Sequence, residues 1–109
     1  MLNQIDRVRK MEGLLNEATE VIDKISEKVE NNQITANIIN EFNMIQDKIA
    51  TLQNYYEGKE WMEDYDADCE NLFPPCLNRG VLSEDAIYDL LIDNDLLKEE
   101  LENTKNFLD

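Results

Sequence analysis

Apolar residues in the first third of the chain recur at alternating steps of three and four positions. This spacing places them on one face of an α-helix and predicts a long helix over about residues 3–30. The polar run from Glu30 to Gln33 interrupts the pattern and marks its end. The members of this first stripe are Val8, Met11, Leu15, Ala18, Ile22, Ile25 and Val29.

A second stripe with the same spacing predicts a helix over about residues 34–57, with Thr35 or Asn37 near its start. Because only a short polar connection separates the two patterns, the two helices are expected to form an antiparallel hairpin. Gly58 follows the stripe and is expected to end the helix in a left-handed conformation. The stripe consists of Ile38, Phe42, Ile45, Ile49, Leu52 and Tyr56.

A third stripe predicts a helix over about residues 84–106, with Asn94 as its polar member. Ser83 is a suitable N-cap for this helix, and Glu84 and Asp85 place carboxylates at the positive end of its dipole. The apolar members are Ile87, Leu90, Leu91, Leu97, Leu101 and Leu108.

The connector over residues 58–83 holds both prolines and both cysteines of the chain. Pro74 and Pro75 disfavour helix over residues 71–80, whereas residues 59–68 suit a short helix with Trp61 and Tyr65 on one face. The aromatic residues in and beside the connector are expected to form a small second core, with a ligand pocket or an interface anchor as the alternative. They are Tyr55, Tyr56, Trp61, Tyr65, Phe73 and Tyr88.

These patterns predict an all-α fold, in which residues 1–109 form one domain. Its expected form is a three-helix antiparallel bundle, with two long helices as a hairpin and an ordered acidic connector before the third helix. The hairpin helices would extend over roughly 40 and 35 Å, longer than the third helix and the connector fully cover. Apolar surface is therefore expected to remain for self-association or for a partner helix.

The formal net charge is −15, and residues 61–109 contain 14 acidic but only 3 basic side chains. Such a charge disfavours binding to nucleic acid and to anionic membranes, and it attracts basic proteins or cations. The sequence contains neither a signal-peptide pattern nor an apolar stretch of membrane-spanning length, so a cytoplasmic location is expected. In that reducing compartment Cys69 and Cys76 are expected to be free thiols, and without any histidine they lack partners for a zinc site.

The run YYEGKEWMEDYDAD, followed by FPP and then LNRGVLSEDAIYDLL, resembles a family of small, acidic bacterial proteins classed as domain of unknown function 4298. The resemblance is carried by about residues 55–91 and implies a compact helical domain, but it brings no activity. It also implies that acids are more usual at the places of Asp66, Cys69 and Cys76. That leaves Asp64 and Asp68 as the acids of greater interest.

The three aspartates Asp64, Asp66 and Asp68 stand at alternate positions, as in a calcium-binding loop. An EF-hand would require glycine and glutamate where this chain has Cys69 and Pro75, so only a looser calcium or magnesium site remains as an alternative. The interpretation favoured here is that these acids are solvated or paired with Arg79 and Lys59.

Catalysis finds little support in the sequence, because a chain without histidine lacks the usual base for a serine or cysteine nucleophile. We therefore expect a non-catalytic protein-interaction module without a cofactor, which self-associates as a homodimer or binds a protein partner. The alternatives are an inhibitor or immunity-type protein that neutralises a basic partner through its acidic C-terminal half, and a divalent-cation module. The candidate contact residues are Trp61, Asp64, Tyr65, Asp68 and Arg79.

Overall fold

The computed structural model describes the backbone of residues 2–108 and the side chains of residues 3–104. All regular secondary structure in this part of the chain is helical, which confirms the all-α prediction. The elements are α1 (Leu2–Glu30), α2 (Ala36–Glu57), α3 (Lys59–Cys69), a 3-10 turn (Gly80–Leu82) and α4 (Ala86–Leu108). The predicted bundle has three helices, whereas the described residues contain four, because the short helix predicted over residues 59–68 is present as α3.

Helices α1 and α2 lie antiparallel, as two ion pairs between them show. Lys24 on α1 contacts Glu41 on α2 at 3.1 Å, and Glu17, earlier on α1, contacts Lys48, later on α2. Residues with higher numbers on α1 therefore contact residues with lower numbers on α2, as in an antiparallel pair. This arrangement follows from the short connection between the helices, which leaves room only for a reversal of direction.

Helix α4 contacts both α1 and α2, and it runs antiparallel to α2. Two polar contacts define this direction: the Tyr56 hydroxyl donates to the Glu84 carbonyl at 3.4 Å, and the Gln46 amide donates to Asn94 at 2.8 Å. The molecule measures 52 × 24 × 19 Å, and its long axis reflects the length of α1, which is about 43 Å at 1.5 Å per residue.

Most members of the three predicted stripes are buried in the core, whereas Met11, Val29, Tyr56 and Leu91 are only partly buried. Tyr55 is 4% exposed and belongs to the core, whereas the predicted member Tyr56 is only partly buried. Tyr55 can be buried because its hydroxyl donates a hydrogen bond to the buried Asp64 carboxylate. Other buried members of the stripes include Val8, Leu15, Ala18, Ile22, Ile25, Ile38, Phe42, Ile45, Ile49, Leu52, Ile87, Leu90, Leu97 and Leu101.

Two asparagines in left-handed conformation end α1 and α3. Asn32 has φ 56° and Asn71 has φ 57°, and each is followed by a backbone amide that donates to a carbonyl five residues earlier. This is the Schellman arrangement, in which asparagine can replace the usual glycine. Gly58, by contrast, has φ −92° and ψ 178°, so the predicted left-handed conformation is wrong. Because α3 begins directly at Lys59, Gly58 caps its N-terminus, and an N-cap requires extended backbone.

The predicted N-cap Thr35 forms, since its hydroxyl accepts from the Ile38 amide at 3.3 Å. The Ser83 hydroxyl accepts from the Ala86 amide at 3.2 Å, but α4 begins at Ala86, so Glu84 and Asp85 precede the helix and do not lie in its first turn as predicted. Leu108, predicted in the third stripe, lies outside the residues whose side chains are described. Within residues 2–108, no helix is both long and apolar enough to span a bilayer.

Candidate functional site

Asp64 on α3 is the centre of a buried polar cluster. Its side chain is fully buried, and each of its two oxygens accepts two hydrogen bonds. Oδ1 accepts from Arg7 Nη2 at 2.6 Å and from Gln4 Nε2 at 3.1 Å. Oδ2 accepts from Arg7 Nε at 2.9 Å and from the Tyr55 hydroxyl at 2.6 Å. The cluster therefore joins the beginning of α1, the end of α2 and the middle of α3.

The charge of Arg7 is shared among three acids of α3. Besides Asp64, its guanidinium contacts Glu60 at 2.7 Å and Glu63 at 3.7 Å, both of which are more than half exposed. Hydrogen bonding to Asp64 raises the pKa of Arg7 above its ordinary value. Burial raises the pKa of Tyr55, and its hydrogen bond to the Asp64 carboxylate raises it further. Tyr55 is thus held neutral, as a hydrogen-bond donor, beside a charged acceptor.

The position of Asp64 in the sequence explains its burial. Trp61 and Ala67 lie three residues on either side of it, and all three side chains are buried on the same face of α3. A carboxylate on an apolar helix face is stable only when it is paired and hydrogen-bonded. Arg7 supplies that pair, at the edge of the α1 stripe beside Val8.

A second cluster holds the backbone of Val81 in the 3-10 turn. The Val81 amide donates to Glu12 Oε1 on α1 at 2.7 Å, and its carbonyl accepts from Trp61 Nε1 on α3 at 3.0 Å. The side chain of Val81 is fully buried. A Cβ on the neighbouring Gly80 would lie 3.2 Å from the Glu12 carboxylate, so the close approach favours glycine there. These contacts fix the connector against both α1 and α3.

Three aromatic rings form a row at the junction of α2 and α3. Trp61 meets Tyr56 edge to face and stacks on Tyr65, and both pairs of ring centroids are 5.1 Å apart. Trp61 is only 7% exposed. Trp61 and Phe73 are buried as expected, but they belong to the same hydrophobic core as the helix stripes, so the predicted separate second core is wrong. Tyr88 does not belong to this core, because its side chain is 53% exposed on α4.

The remaining predicted contact residues lie at the edge of the connector. Arg79 Nη1 contacts Asp68 Oδ1 at 2.8 Å, so the predicted pairing of Arg79 with the aspartate cluster is observed at Asp68. Tyr65 is half-buried and donates to Glu84 Oε1 at 2.8 Å. That hydrogen bond raises the pKa of Tyr65 to about 12. Both contacts hold α3 to the segment that follows it.

Asp64, Asp66 and Asp68 do not converge on one point. They lie on a helix, where residues two apart point in directions about 200° apart. Asp64 is buried against Arg7, Asp66 is exposed, and Asp68 faces Arg79. Within the described residues, no group of three or more acidic or cysteine side chains could hold a metal ion.

Two of the five predicted contact residues are thus buried in the protein interior. Asp64 and Trp61 are buried, where they cannot touch a partner, and the structure assigns them to the packing of α3 instead. Tyr65, Asp68 and Arg79 retain exposed atoms. The sequence analysis missed Arg7, Glu12 and Gln4, which all lie on α1 more than 50 residues away from the groups that they bind.

The outer surface of α4 is acidic. Over residues 84–102 the chain carries eight acidic side chains and one lysine, and all nine are exposed. The acidic residues are Glu84, Asp85, Asp89, Asp93, Asp95, Glu99, Glu100 and Glu102. An open groove of about 420 Å³ runs between α1 and α4, and its charged lining residues, Glu12, Asp23, Asp89 and Asp93, are all acidic. The surface of α4 therefore attracts positive charge.

A comparison with protein families matches residues 8–103 to a domain of unknown function, DUF4298. The match covers all but the ends of the chain, including the whole of α2, α3 and the 3-10 turn. No curated protein and no solved structure matches the chain.

Proposed function

We propose that this chain, which belongs to the DUF4298 family of domains of unknown function, is a non-catalytic module that binds a basic protein. The observation that carries the proposal is the excess of eight exposed carboxylates over one lysine along residues 84–102. Opposite charges on two proteins speed their encounter and select the partner. A basic partner would find on α4 a rigid acidic surface that is already formed.

The buried polar groups give no comparable support to catalysis. All four hydrogen bonds of the Asp64 carboxylate go to groups of the protein itself, and its charge is paired with Arg7. A general base must instead reach the proton of a bound substrate. Asp64 has a structural role in this proposal, and the exposed acids of α4 have the binding role.

A protein partner is favoured over a second copy of this chain. The hairpin exposes little apolar surface: within residues 3–104, Met44 is the one large apolar side chain of α1 and α2 that is strongly exposed, while Val21 and Ile39 are partly buried. Two acidic α4 surfaces would also repel each other. We also propose a cytoplasmic location, in which the exposed Cys69 and Cys76 would remain free thiols.

The test is affinity purification of the tagged protein from its native cell at low and at moderate salt, with identification of the bound proteins. We expect basic proteins to be enriched at low salt and released as salt screens the charges. A variant with Asp89→Asn, Asp93→Asn and Asp95→Asn should lose them. The matched control removes three exposed acids of α1 that lie outside the groove (Asp6→Asn, Glu20→Gln, Glu27→Gln) and should retain them.

Two results would count against the proposal. The first is capture of no basic protein by the wild type at low salt. The second is equal loss in the α4 and α1 variants, because net charge alone would then explain the binding. Light scattering on the purified protein tests the competing prediction of a homodimer. A stable dimer of the isolated chain would favour self-association over binding of a basic partner.

A further inference from the structure

Three apolar side chains form an exposed line along α4. Tyr88, Ile92 and Leu96 are 53%, 40% and 57% exposed, and they are spaced four residues apart. Four residues turn an α-helix by about 400°, so these side chains lie one above another over about 12 Å. We call them the α4 outer stripe. Single exposed apolar residues are ordinary on a protein surface, but three in one line form a continuous strip.

The α4 outer stripe faces away from the core, with Leu96 at its edge also lining a groove between α1 and α4. Ile87, Leu90 and Leu97 face α1 and α2, and their side chains are 0–5% exposed. The helix positions of the stripe differ from the mean direction of these core residues by about 180°. Burial in the core therefore does not account for the stripe, and the core residues hold α4 rigidly with the stripe facing outward.

Carboxylates surround this stripe. By helical position, Asp89 and Asp93 border one side, Asp95 and Glu102 border the other, and Glu99 continues the line beyond Leu96. All these acids are exposed. The surface thus combines an apolar centre with an anionic rim.

We propose that the α4 outer stripe and its acidic rim bind an amphipathic helix of the basic partner, with apolar residues at steps of three and four and lysine or arginine beside them. This inference rests on the proposed function and adds the docking site and the form of the partner. Charge complementarity selects this occupant. A second copy would oppose acid to acid, and an anionic lipid surface would repel the rim. Helices commonly dock in this way, with residues at i, i+4 and i+7 as anchors.

The size of the surface predicts a reversible complex. Residues 85–102 extend over about 26 Å, enough for about five turns of a partner helix. One helix face buries less area than a standard protein–protein interface, so salt-sensitive and transient binding is expected.

The test uses a synthetic amphipathic peptide with a leucine stripe bordered by lysines. A control peptide has the same composition, with the leucines distributed around the helix. Titration of the isotopically labelled full chain, followed by NMR, should show the largest shifts over residues 85–102. Binding of the control peptide should be weaker by about tenfold or more.

Two variants separate the stripe from the charge. Replacing the stripe with serine (Tyr88→Ser, Ile92→Ser, Leu96→Ser) should weaken binding of the amphipathic peptide by about tenfold or more. Met44→Ser removes a side chain that is 76% exposed on α2, and it should leave binding unchanged. Because all four side chains are exposed, both variants are expected to fold, and their circular dichroism and thermal unfolding verify this.

Each outcome decides between the two proposals. If the stripe variant binds as tightly as the wild type while Asp89→Asn, Asp93→Asn, Asp95→Asn abolishes binding, the basic partner stands and the docking site is overturned. Equal affinity for the two peptides would also overturn the docking site, since the apolar line would then contribute nothing. If neither peptide binds at low salt, both the docking site and the proposed function are overturned.

Discussion

Arg7 and Asp64, which lie 57 residues apart in the chain, form a two-point ion pair with N–O distances of 2.6 and 2.9 Å. Asp64 is fully buried, while the Arg7 side chain is 20% exposed. The pair joins the start of α1 to α3, and it lets a carboxylate occupy the apolar face of a short helix. The connector is consequently held to the bundle by a polar contact as well as by its buried aromatic residues.

Arg7→Met should be strongly destabilising, because it leaves a buried carboxylate without its cation. Breaking a buried pair on one side costs about 3–5 kcal/mol. Urea unfolding followed by circular dichroism measures the loss. Arg9→Met, at an exposed position on the same helix, is the matched control and should change stability by less than about 0.5 kcal/mol.

The double variant Arg7→Met, Asp64→Leu provides a second check. Replacing both members of a buried pair with apolar residues is often neutral or stabilising. We therefore expect this variant to be clearly more stable than Arg7→Met alone. If it is equally unstable, the loss comes from packing around Arg7 and not from the unpaired charge.

Stability should fall at alkaline pH through Tyr55. Its pKa is higher in the folded chain than in the unfolded chain, so the folded state holds the phenol proton more tightly. This contribution is fully present below the unfolded pKa of about 10 and is lost as the pH rises above that value. Urea midpoints measured between about pH 8 and pH 12 should decline in the upper half of the range.

Tyr55→Phe tests the assignment. This variant removes the hydrogen bond to Asp64 and should therefore be less stable than the wild type at neutral pH. Its alkaline decline should be shallower, since the titrating phenol is gone. An unchanged slope would show that other groups cause the decline, among them Tyr65, whose pKa is also raised, to about 12.

Glu12 should matter as a hydrogen-bond acceptor for the Val81 amide. Glu12→Ala leaves this amide, in a buried turn, without its partner, and such a loss costs about 1–3 kcal/mol. Glu12→Gln keeps an acceptor oxygen and should retain most of the stability. Glu20→Ala, exposed on the same helix, is the control. Equal losses in the Ala and Gln variants would point to the charge of Glu12 instead of its acceptor role.

Gln46 and Asn94 form a reciprocal amide pair between α2 and α4, with N–O distances of 2.8 and 2.9 Å. Asn94 is 7% exposed. Asn94→Leu leaves the Gln46 amide facing an apolar side chain and should cost about 1–3 kcal/mol. The double variant Gln46→Leu, Asn94→Leu should recover much of this loss in urea unfolding, because no polar group is left unpaired. Failure to recover would mean that the pocket does not accept two leucines.

The sequence was sufficient for the helices, because their signals are local. The spacing of Val8, Leu15 and Ile22 shows one helix face, and Thr35 marks the start of α2 through its capping hydroxyl. The prediction that Tyr56, and not Tyr55, is the core member at the end of α2 was wrong, although neighbouring positions differ by about 100° on a helix. The polar contact with Asp64 decides between the two residues, and it exists only in the folded chain.

The candidate site was predictable only in part, because its contacts join distant segments. Asp64 gave a usable signal, as it lies on the apolar face of α3 between Trp61 and Ala67. Its partner Arg7 gave no such signal, since the hydropathy pattern of α1 does not specify which residue of another helix Arg7 contacts. Exposed Tyr88 was assigned to the core because aromatic residues are most often buried, although the stripe that contains Ile87 and Leu90 already excluded it.

Arg79 should stabilise the connector through Asp68, which lies in the last turn of α3. A carboxylate near the negative end of a helix dipole is unfavourable, and the guanidinium at 2.8 Å offsets this effect. Both side chains are about one-third exposed, so Arg79→Ala should cost up to about 1 kcal/mol. In a domain of this size that corresponds to a fall in melting temperature of up to about 6 °C. Lys10→Ala, at an exposed position on α1, is the control, and equal melting temperatures for the two variants would exclude a stabilising role for Arg79.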